Sequence, residues 1–190
     1  MTDDQAVARL ETIVRGQVKP APWVPVTDYS YTARLEAEGK HPELIHEHFQ
    51  PLRVLDAGCG PGHLVRMLVG LGIEAYGVDA AHWADWLDSP RLAKLDLEAM
   101  TTSPFGGRFD LVICREVLEH LTIAQLRTVV TNLVRQSTTY VYITTRFAKA
   151  PDHLLAVDTA DDLDPTHITM LSKPFLRALF VLEGCKSGPI

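Results

Sequence analysis

The sequence is poor in cysteine, in aromatic residues and in basic charge. Its three cysteines, Cys59, Cys114 and Cys185, are widely spaced and form no C-x-x-C pair, which argues against a disulfide framework or a thiolate zinc site. The net charge of −6 and the pI of about 5.7 argue against broad binding to nucleic acid or to an anionic membrane. No hydrophobic run reaches transmembrane length, and the acidic start M-T-D-D is unlike a signal peptide. We therefore expect a cytoplasmic protein with no membrane partner.

The residues that are present suit one main globular domain preceded by a helical segment. The chain has 190 residues, of which 46% are hydrophobic and 22% charged, enough to bury a single core. We expect residues 1–50 to form an N-terminal helical cap and residues 51–190 to form the main domain. The predicted helices of the cap are Thr2–Gly16, Tyr31–Glu38 and Pro42–Phe49.

After the cap, strands and helices alternate. The strands have apolar centres, which predicts a doubly wound, mostly parallel α/β sheet that is covered on both faces. The predicted strands are Arg53–Gly58, Glu74–Asp79, Arg91–Leu97, Phe109–Cys114 and Tyr140–Thr145, and the long helices between them are Gly62–Gly72 and Ile123–Gln136.

The stretch V-L-D-A-G-C-G-P-G-H, residues 54–63, contains a strand, a tight turn and a helix start. Its three glycines alternate with other residues, which permits positive φ and close approach of a ligand to the backbone. The amides of the helix start favour a carboxylate or phosphate group. His63 occupies the position where a dinucleotide-binding fingerprint has its third glycine, so a nicotinamide-dependent oxidoreductase is disfavoured.

Polar residues stand at the ends of four predicted strands. They are Asp56, Asp79, Asp96 and the pair Arg115-Glu116. In an open parallel sheet the ligand lies beyond the carboxyl ends of the strands, so these residues are expected on one rim. Asp110 begins its strand at the opposite rim, so we interpret it as structural.

This set of motifs resembles the class I S-adenosylmethionine-dependent methyltransferases. The pattern D-x-G-x-G-x-G is their first motif, Asp79 ends the second strand as in V-D, and Asp96-Leu97 follows the third strand. The segment F-D-L-V-I-C-R-E-V-L-E-H-L is similar to their fourth strand and the segment after it. The resemblance covers residues 53–145, with a weaker match to residue 180. It implies a Rossmann-like sheet, methyltransferase activity and S-adenosylmethionine as cofactor.

The resemblance also implies roles for single residues. The glycine loop is expected to pack against the methionine portion of the cofactor, and Asp56 to orient its ammonium group. Asp79 is expected to accept hydrogen bonds from the ribose hydroxyls, and Asp96 or the Leu97 backbone to contact the adenine. The predicted cofactor-binding set is Asp56, Gly58, Cys59, Gly60, Gly62, Asp79, Ala80, Asp96, Leu97 and Arg115.

Methyl transfer needs a positioned acceptor and, for a hydroxyl or amine, removal of a proton. We predict Glu116, His120 and His167 as catalytic residues, without assigning the base among them. The acceptor is expected to be an oxygen or nitrogen atom of a small molecule, and nucleic acid is not an expected partner.

Two alternative functions stay open at this point. Glu116, Glu119 and His120 form E-x-x-E-H, and with His167 they resemble the metal site of small-RNA 3′-terminal 2′-O-methyltransferases. The same motif is also similar to the metal-free members of the wider family, and we assign no metal ligand. The other alternative is a non-catalytic cofactor-binding or scaffold subunit.

The C-terminal part departs from the family pattern. A helix begins near Ser172 and leaves too few residues for the usual antiparallel hairpin, which is expected to be short or missing. The strand Tyr140–Thr145 would then form an edge, covered by the cap or by a second subunit in a homodimer. The acidic segment Ala148–Pro165 is either a lid or a solvated loop. Trp83 and Trp86 either stack near the adenine or pack in the core.

Overall fold

The computed structural model describes residues 41–83, 86, 88–148, 155–156 and 166–186. The chain divides into two compact units. In the described part, the first, here called the sheet unit, contains residues 41–115 and 131–143, and the second unit contains residues 116–130 and 144–186 with the gaps just given. The two predicted helices before residue 40, and most of the acidic segment, lie outside the described residues.

The sheet unit is built on a five-stranded sheet of order β3-β2-β1-β4-β5. Strand β1 at its centre pairs in parallel with β2 and β4, and β2 pairs in parallel with β3. This arrangement confirms the predicted mostly parallel, doubly wound sheet. The strands are β1 (Arg53–Ala57), β2 (Glu74–Asp79), β3 (Leu92–Lys94), β4 (Phe109–Arg115) and β5 (Ser137–Thr144).

Burial follows the apolar pattern of the strands. In β1 every residue from Val54 to Ala57 is buried, and in β4 Phe109 and the run Leu111–Cys114 are buried. A strand that is buried on successive residues has both faces covered, which is typical of a parallel sheet between helices.

The sheet unit contains the helices α1 (His41–Phe49) and α2 (His63–Gly70), and α3 (Ile123–Gln136) contributes its last six residues to it. Helix α2 buries Leu64, Val65 and Leu68, which recur at helical spacing. These side chains join a core cluster with Ile45 of α1 and Val54 of β1.

Asp110 has the structural role that the sequence predicted. Its two carboxylate oxygens accept the backbone N–H groups of Leu52 and Arg53 at 2.7 and 3.0 Å. The side chain therefore satisfies the amides where the chain enters β1.

Strand β3 is shorter than predicted. It ends at Lys94, because Asp96 begins a turn in which its Oδ1 accepts the N–H of Glu98 at 2.9 Å. A short polar side chain that bonds the backbone two residues on favours a turn over a strand.

Helix α1 contacts β5. The Phe49 ring lies 5.4 Å from the ring of Tyr140 and 5.7 Å from that of Tyr142, measured between centroids. Tyr140 nevertheless stays half exposed. The predicted cover of this strand by a second subunit stays a prediction.

The second unit contains a 3-10 helix (Leu118–His120), two short antiparallel strands and a C-terminal helix. The strands are β6 (Leu155–Ala156) and β7 (Met170–Leu171), and the helix is α4 (Lys173–Leu182). Ser172 caps α4, as its hydroxyl accepts the N–H of Phe175. No strand follows α4 within the described residues. Among those residues no helix combines the length and the apolar character that a membrane crossing requires.

Candidate functional site

The glycine loop between β1 and α2 has the backbone that its sequence predicts. Gly58, Gly60 and Gly62 have φ values of 87°, 51° and 79°, in the left-handed region that favours glycine. The N–H groups of Gly58 and Cys59 both donate to the carbonyl of Val78, at 2.8 and 3.0 Å. The loop is thus held against the end of β2.

Asp79, the last residue of β2, binds this loop directly. Its Oδ2 accepts the N–H of Gly60 and its Oδ1 accepts the N–H of Ala81, both at 2.9 Å. Each carboxylate oxygen has two lone pairs, so each can accept one further donor. The structure therefore brings together the glycine loop and Asp79, which the sequence identified separately. The remaining acceptor capacity of this carboxylate suits a ligand with paired hydroxyl groups, which would donate to it.

A second carboxylate, Asp56, is the next-to-last residue of β1, just before the loop, and is only 3% exposed. Burial raises the pKa of the Cys59 thiol well above its usual range, and the charges of Asp56 and Asp79 raise this pKa further. Cys59 is therefore a neutral thiol at physiological pH. The negative charge beside the loop favours a cationic ligand, such as one with ammonium and sulfonium groups.

Trp86 is a residue whose role the sequence left open. It is 3% exposed, packs in the core cluster, and its Nε1–H donates to the carbonyl of Gly60 at 2.9 Å. The packing alternative is therefore correct for Trp86. Gly77 of β2 leaves space for the loop. A side chain at this position would collide with Cys59, because its Cβ would lie 2.7 Å from the Cys59 Sγ.

The predicted adenine side of the site lies after β3. Asp96 is exposed and Leu97 is buried. Asn132 of α3 donates from Nδ2 to the carbonyls of Leu97 and Glu98, at 2.8 and 3.0 Å. Sequence reasoning missed Asn132, because nothing in a helical pattern reveals a contact 35 residues away.

Two other predicted cofactor residues lie at strand ends. Ala80 is exposed directly after β2. Arg115, at the end of β4, has its Nη1 2.7 Å from Nδ1 of His41, and Nε2 of His41 lies 3.3 Å from the hydroxyl of Tyr142. A contact of Arg115 with the cofactor stays a prediction.

In the second unit, Glu119 is fully buried. Its Oε2 accepts the hydroxyl proton of Thr145 at 2.7 Å, and its carbonyl accepts the N–H groups of Ile168 and Thr169. Burial raises the pKa of this carboxyl to about 7, and the nearby Glu116 carboxylate also raises it, against the opposing hydrogen bonds. The sequence placed Glu119 in the motif E-x-x-E-H but did not reveal that its side chain is buried.

The three predicted catalytic residues all belong to the second unit. The rings of His120 and His167 lie 4.8 Å apart between centroids, a proximity that the sequence did not establish. His120 Nδ1 is held by Thr166, at 2.9 Å from its Oγ1 and 3.2 Å from its carbonyl oxygen. Glu116 is exposed, has a φ of 50°, and donates its N–H to the carbonyl of Thr144.

Comparison with known proteins bears on this site. A family model described as a methyltransferase domain matches residues 29–186. Curated relatives are named ubiquinone biosynthesis O-methyltransferase. The Burkholderia multivorans protein is 34% identical over 84 residues, covering 40% of this chain and 36% of the relative. The Burkholderia thailandensis protein is 30% identical over 125 residues, covering 61% of this chain and 53% of the relative. The chain thus spans about a third to a half of these relatives.

Solved structures share the fold. A SAM-dependent methyltransferase from Archaeoglobus fulgidus is 23% identical with a TM-score of 0.57, covering 83% of this chain and 74% of that one. The magnesium protoporphyrin IX methyltransferase from Synechocystis, with bound SAH, is 18% identical with a TM-score of 0.58, covering 96% of this chain and 89% of that one. With the matched domain, the sheet order and the glycine loop in agreement, this chain belongs to the class I methyltransferase family, whose cofactor is S-adenosylmethionine.

Proposed function

We propose that this chain transfers a methyl group from S-adenosylmethionine to an oxygen or nitrogen atom of a small-molecule acceptor. The observation that carries the proposal is the hydrogen bond between the Asp79 carboxylate and the Gly60 amide. This hydrogen bond places a carboxylate that can accept further donors beside a loop whose glycines let a ligand approach the backbone. This combination suits a ligand with a diol at one end and charged groups at the other.

The sheet unit supplies the residues proposed to hold the cofactor. Asp79 and Ala80 would meet the ribose hydroxyls, and Asp56 with the Gly58–Gly62 loop would meet the methionine portion. Asp96 and Leu97 would contact the adenine, on the segment that Asn132 fixes.

When bound, S-adenosylmethionine supplies a methyl group that its sulfonium already activates. The remaining work of the protein is to position the acceptor and to take its proton. We propose Glu116, His120 and His167 for these tasks.

Oxygen is the favoured acceptor atom, because the curated relatives are named O-methyltransferases. The net charge of −6 supports a small molecule over RNA, whose binding needs clustered cationic side chains.

The test is transfer of radiolabelled methyl from S-adenosylmethionine to a panel of phenols, aliphatic alcohols, amines and RNA oligonucleotides. We expect label on a hydroxyl-bearing small molecule and none on RNA. Labelled RNA would contradict the acceptor class. Cofactor binding without transfer to any member of a broad panel would instead support the non-catalytic alternative.

A further inference from the structure

Three potential metal ligands converge in the second unit. Glu119, His120 and His167 each place one ligand atom within 4.8 Å of the other two. Glu119 and His120 end the 3-10 helix, whereas His167 lies on the segment that leads into β7. We propose that this cluster binds a divalent transition-metal ion.

The carboxyl group of Glu119 lies in surroundings that favour a bound cation. The side chain is fully buried, and Thr145 satisfies only Oε2. Oε1 is buried and, within the described part of the chain, has no hydrogen-bond partner. A buried carboxylate oxygen without a partner is costly, and the neighbouring Glu116 charge adds repulsion. A cation bound at Oε1 would remove both costs.

The hydrogen bonds of His120 and of the Glu119 backbone hold the cluster in an arrangement that suits a metal ion. Nδ1 of His120 faces the carbonyl oxygen and hydroxyl of Thr166. When one ring nitrogen donates to a carbonyl, the other carries the lone pair, and metal-bound histidines commonly make this contact. The two amides that bond the Glu119 carbonyl belong to Ile168 and Thr169, so the backbone fixes Glu119 next to His167.

The ligand types indicate which metal. Two imidazoles with one carboxylate suit Mn²⁺, Fe²⁺ or Zn²⁺, whereas Mg²⁺ and Ca²⁺ prefer oxygen ligands alone. Metal–ligand distances of about 2.0–2.2 Å require the three side chains to close slightly by rotation. Three protein ligands leave coordination positions for water or for an acceptor oxygen, whose proton the metal would make easier to remove. A metal-bound imidazole has no lone pair for a proton, so with the metal in place His120 and His167 would position the acceptor and Glu116 would take its proton.

Metal binding deepens the proposed function but is testable without it. The 190-residue chain, freed of metal with EDTA and dialysed, is titrated with MnCl₂ in the absence of S-adenosylmethionine, and free Mn²⁺ is followed by electron paramagnetic resonance. We expect one saturable site per chain that binds Mg²⁺ much more weakly. H120Q and H167Q should each weaken Mn²⁺ binding by about tenfold or more. H46Q, which changes an exposed histidine of α1, is the matched control and should bind as the wild type does.

A readout on the unaltered chain guards against misfolded variants. Paramagnetic Mn²⁺ should broaden the imidazole NMR signals of His120 and His167 at substoichiometric concentrations, before those of His46 and His48. Absence of a saturable site, wild-type affinity in H167Q, or uniform broadening of all histidines would overturn the metal site. Because the titration omits the cofactor, such a failure would leave the methyltransferase proposal unaffected.

Discussion

At the scale of single residues, Gly62 carries two constraints at once. Its φ of +79° lies in the left-handed region, and a Cβ there would lie 2.8 Å from Cδ1 of Leu92. We expect Gly62→Ala to lower the free energy of unfolding by about 1–2 kcal/mol from the backbone alone, with a further loss from displacing Leu92. Chemical denaturation measures the change.

Gly70 is the matched control for this prediction. It lies in α2, has open space around its Cα, and its φ is not positive. Gly70→Ala should therefore leave stability unchanged or raise it by about 0.5–1 kcal/mol. Equal losses in the two variants would contradict the conformational argument.

Cys59 gives a second residue-scale prediction. Because burial and two nearby carboxylates raise its pKa, the folded chain keeps the thiol protonated and unreactive. With a thiol-specific disulfide reagent at neutral pH, followed by mass spectrometry, we expect Cys185 to react in the native state and Cys59 only after denaturation. Cys185 is partly exposed, whereas Cys59 is buried.

The raised pKa of Cys59 predicts that the folded chain loses stability at alkaline pH. A folded-state pKa above the unfolded value means that the unfolded thiol ionises first, so stability falls as the pH rises above the ordinary thiol range. Cys59→Ala should reduce this alkaline loss. Rapid labelling of native Cys59 would contradict the account.

Some residue roles follow from the sequence and others do not. The spacing of the glycines predicts the tight turn, and the apolar run before Asp79 predicts its place at the end of a strand, because both patterns involve only neighbouring residues. The bonds of Trp86 to Gly60 and of Asn132 to Leu97 join residues 26 and 35 positions apart, so only the folded chain reveals them. The orphan oxygen of Glu119 depends in the same way on what buries it.

At the scale of elements, the spacing of apolar residues predicts most strands of the sheet and the long helix α3. Helix α3 has the predicted bounds, and β1 and β2 differ from prediction by at most one residue. Strand β3 ends early because Asp96 forms a turn, and β5 begins at Ser137, three residues before its predicted start. Apolar spacing identifies an element, but local side-chain hydrogen bonds decide where it ends.

Asn132 connects helix α3 to the segment that follows β3. Its amide donates to two backbone carbonyls after β3, so Asn132→Ala removes a hydrogen bond from the buried carbonyl of Leu97. We expect a loss of about 1–3 kcal/mol in the free energy of unfolding, and weaker cofactor binding if this segment meets the adenine. Thr128→Ala, at an exposed position of the same helix, should change stability little. A stable Asn132→Ala variant with unchanged hydrogen exchange at residues 97–98 would refute this role.

At the scale of the whole molecule, fold and family agree. The parallel order β3-β2-β1-β4 creates a carboxyl edge at which the glycine loop and Asp79 meet. Ligands of open parallel sheets bind at such an edge. The proposed catalytic residues lie in the second unit, where the sequence supplies motifs but not their mutual geometry.

The most direct test is isothermal titration of the purified chain with S-adenosylmethionine, with S-adenosylhomocysteine and NAD as comparison ligands. We predict one saturable site for both adenosyl compounds and none for NAD. Asp79→Asn should weaken binding by roughly 10- to 100-fold, the value of a hydrogen bond to a charged group. Asp88→Asn, at an exposed left-handed position that tolerates asparagine, should bind normally. Binding of NAD in place of S-adenosylmethionine, or wild-type affinity in Asp79→Asn, would contradict the account.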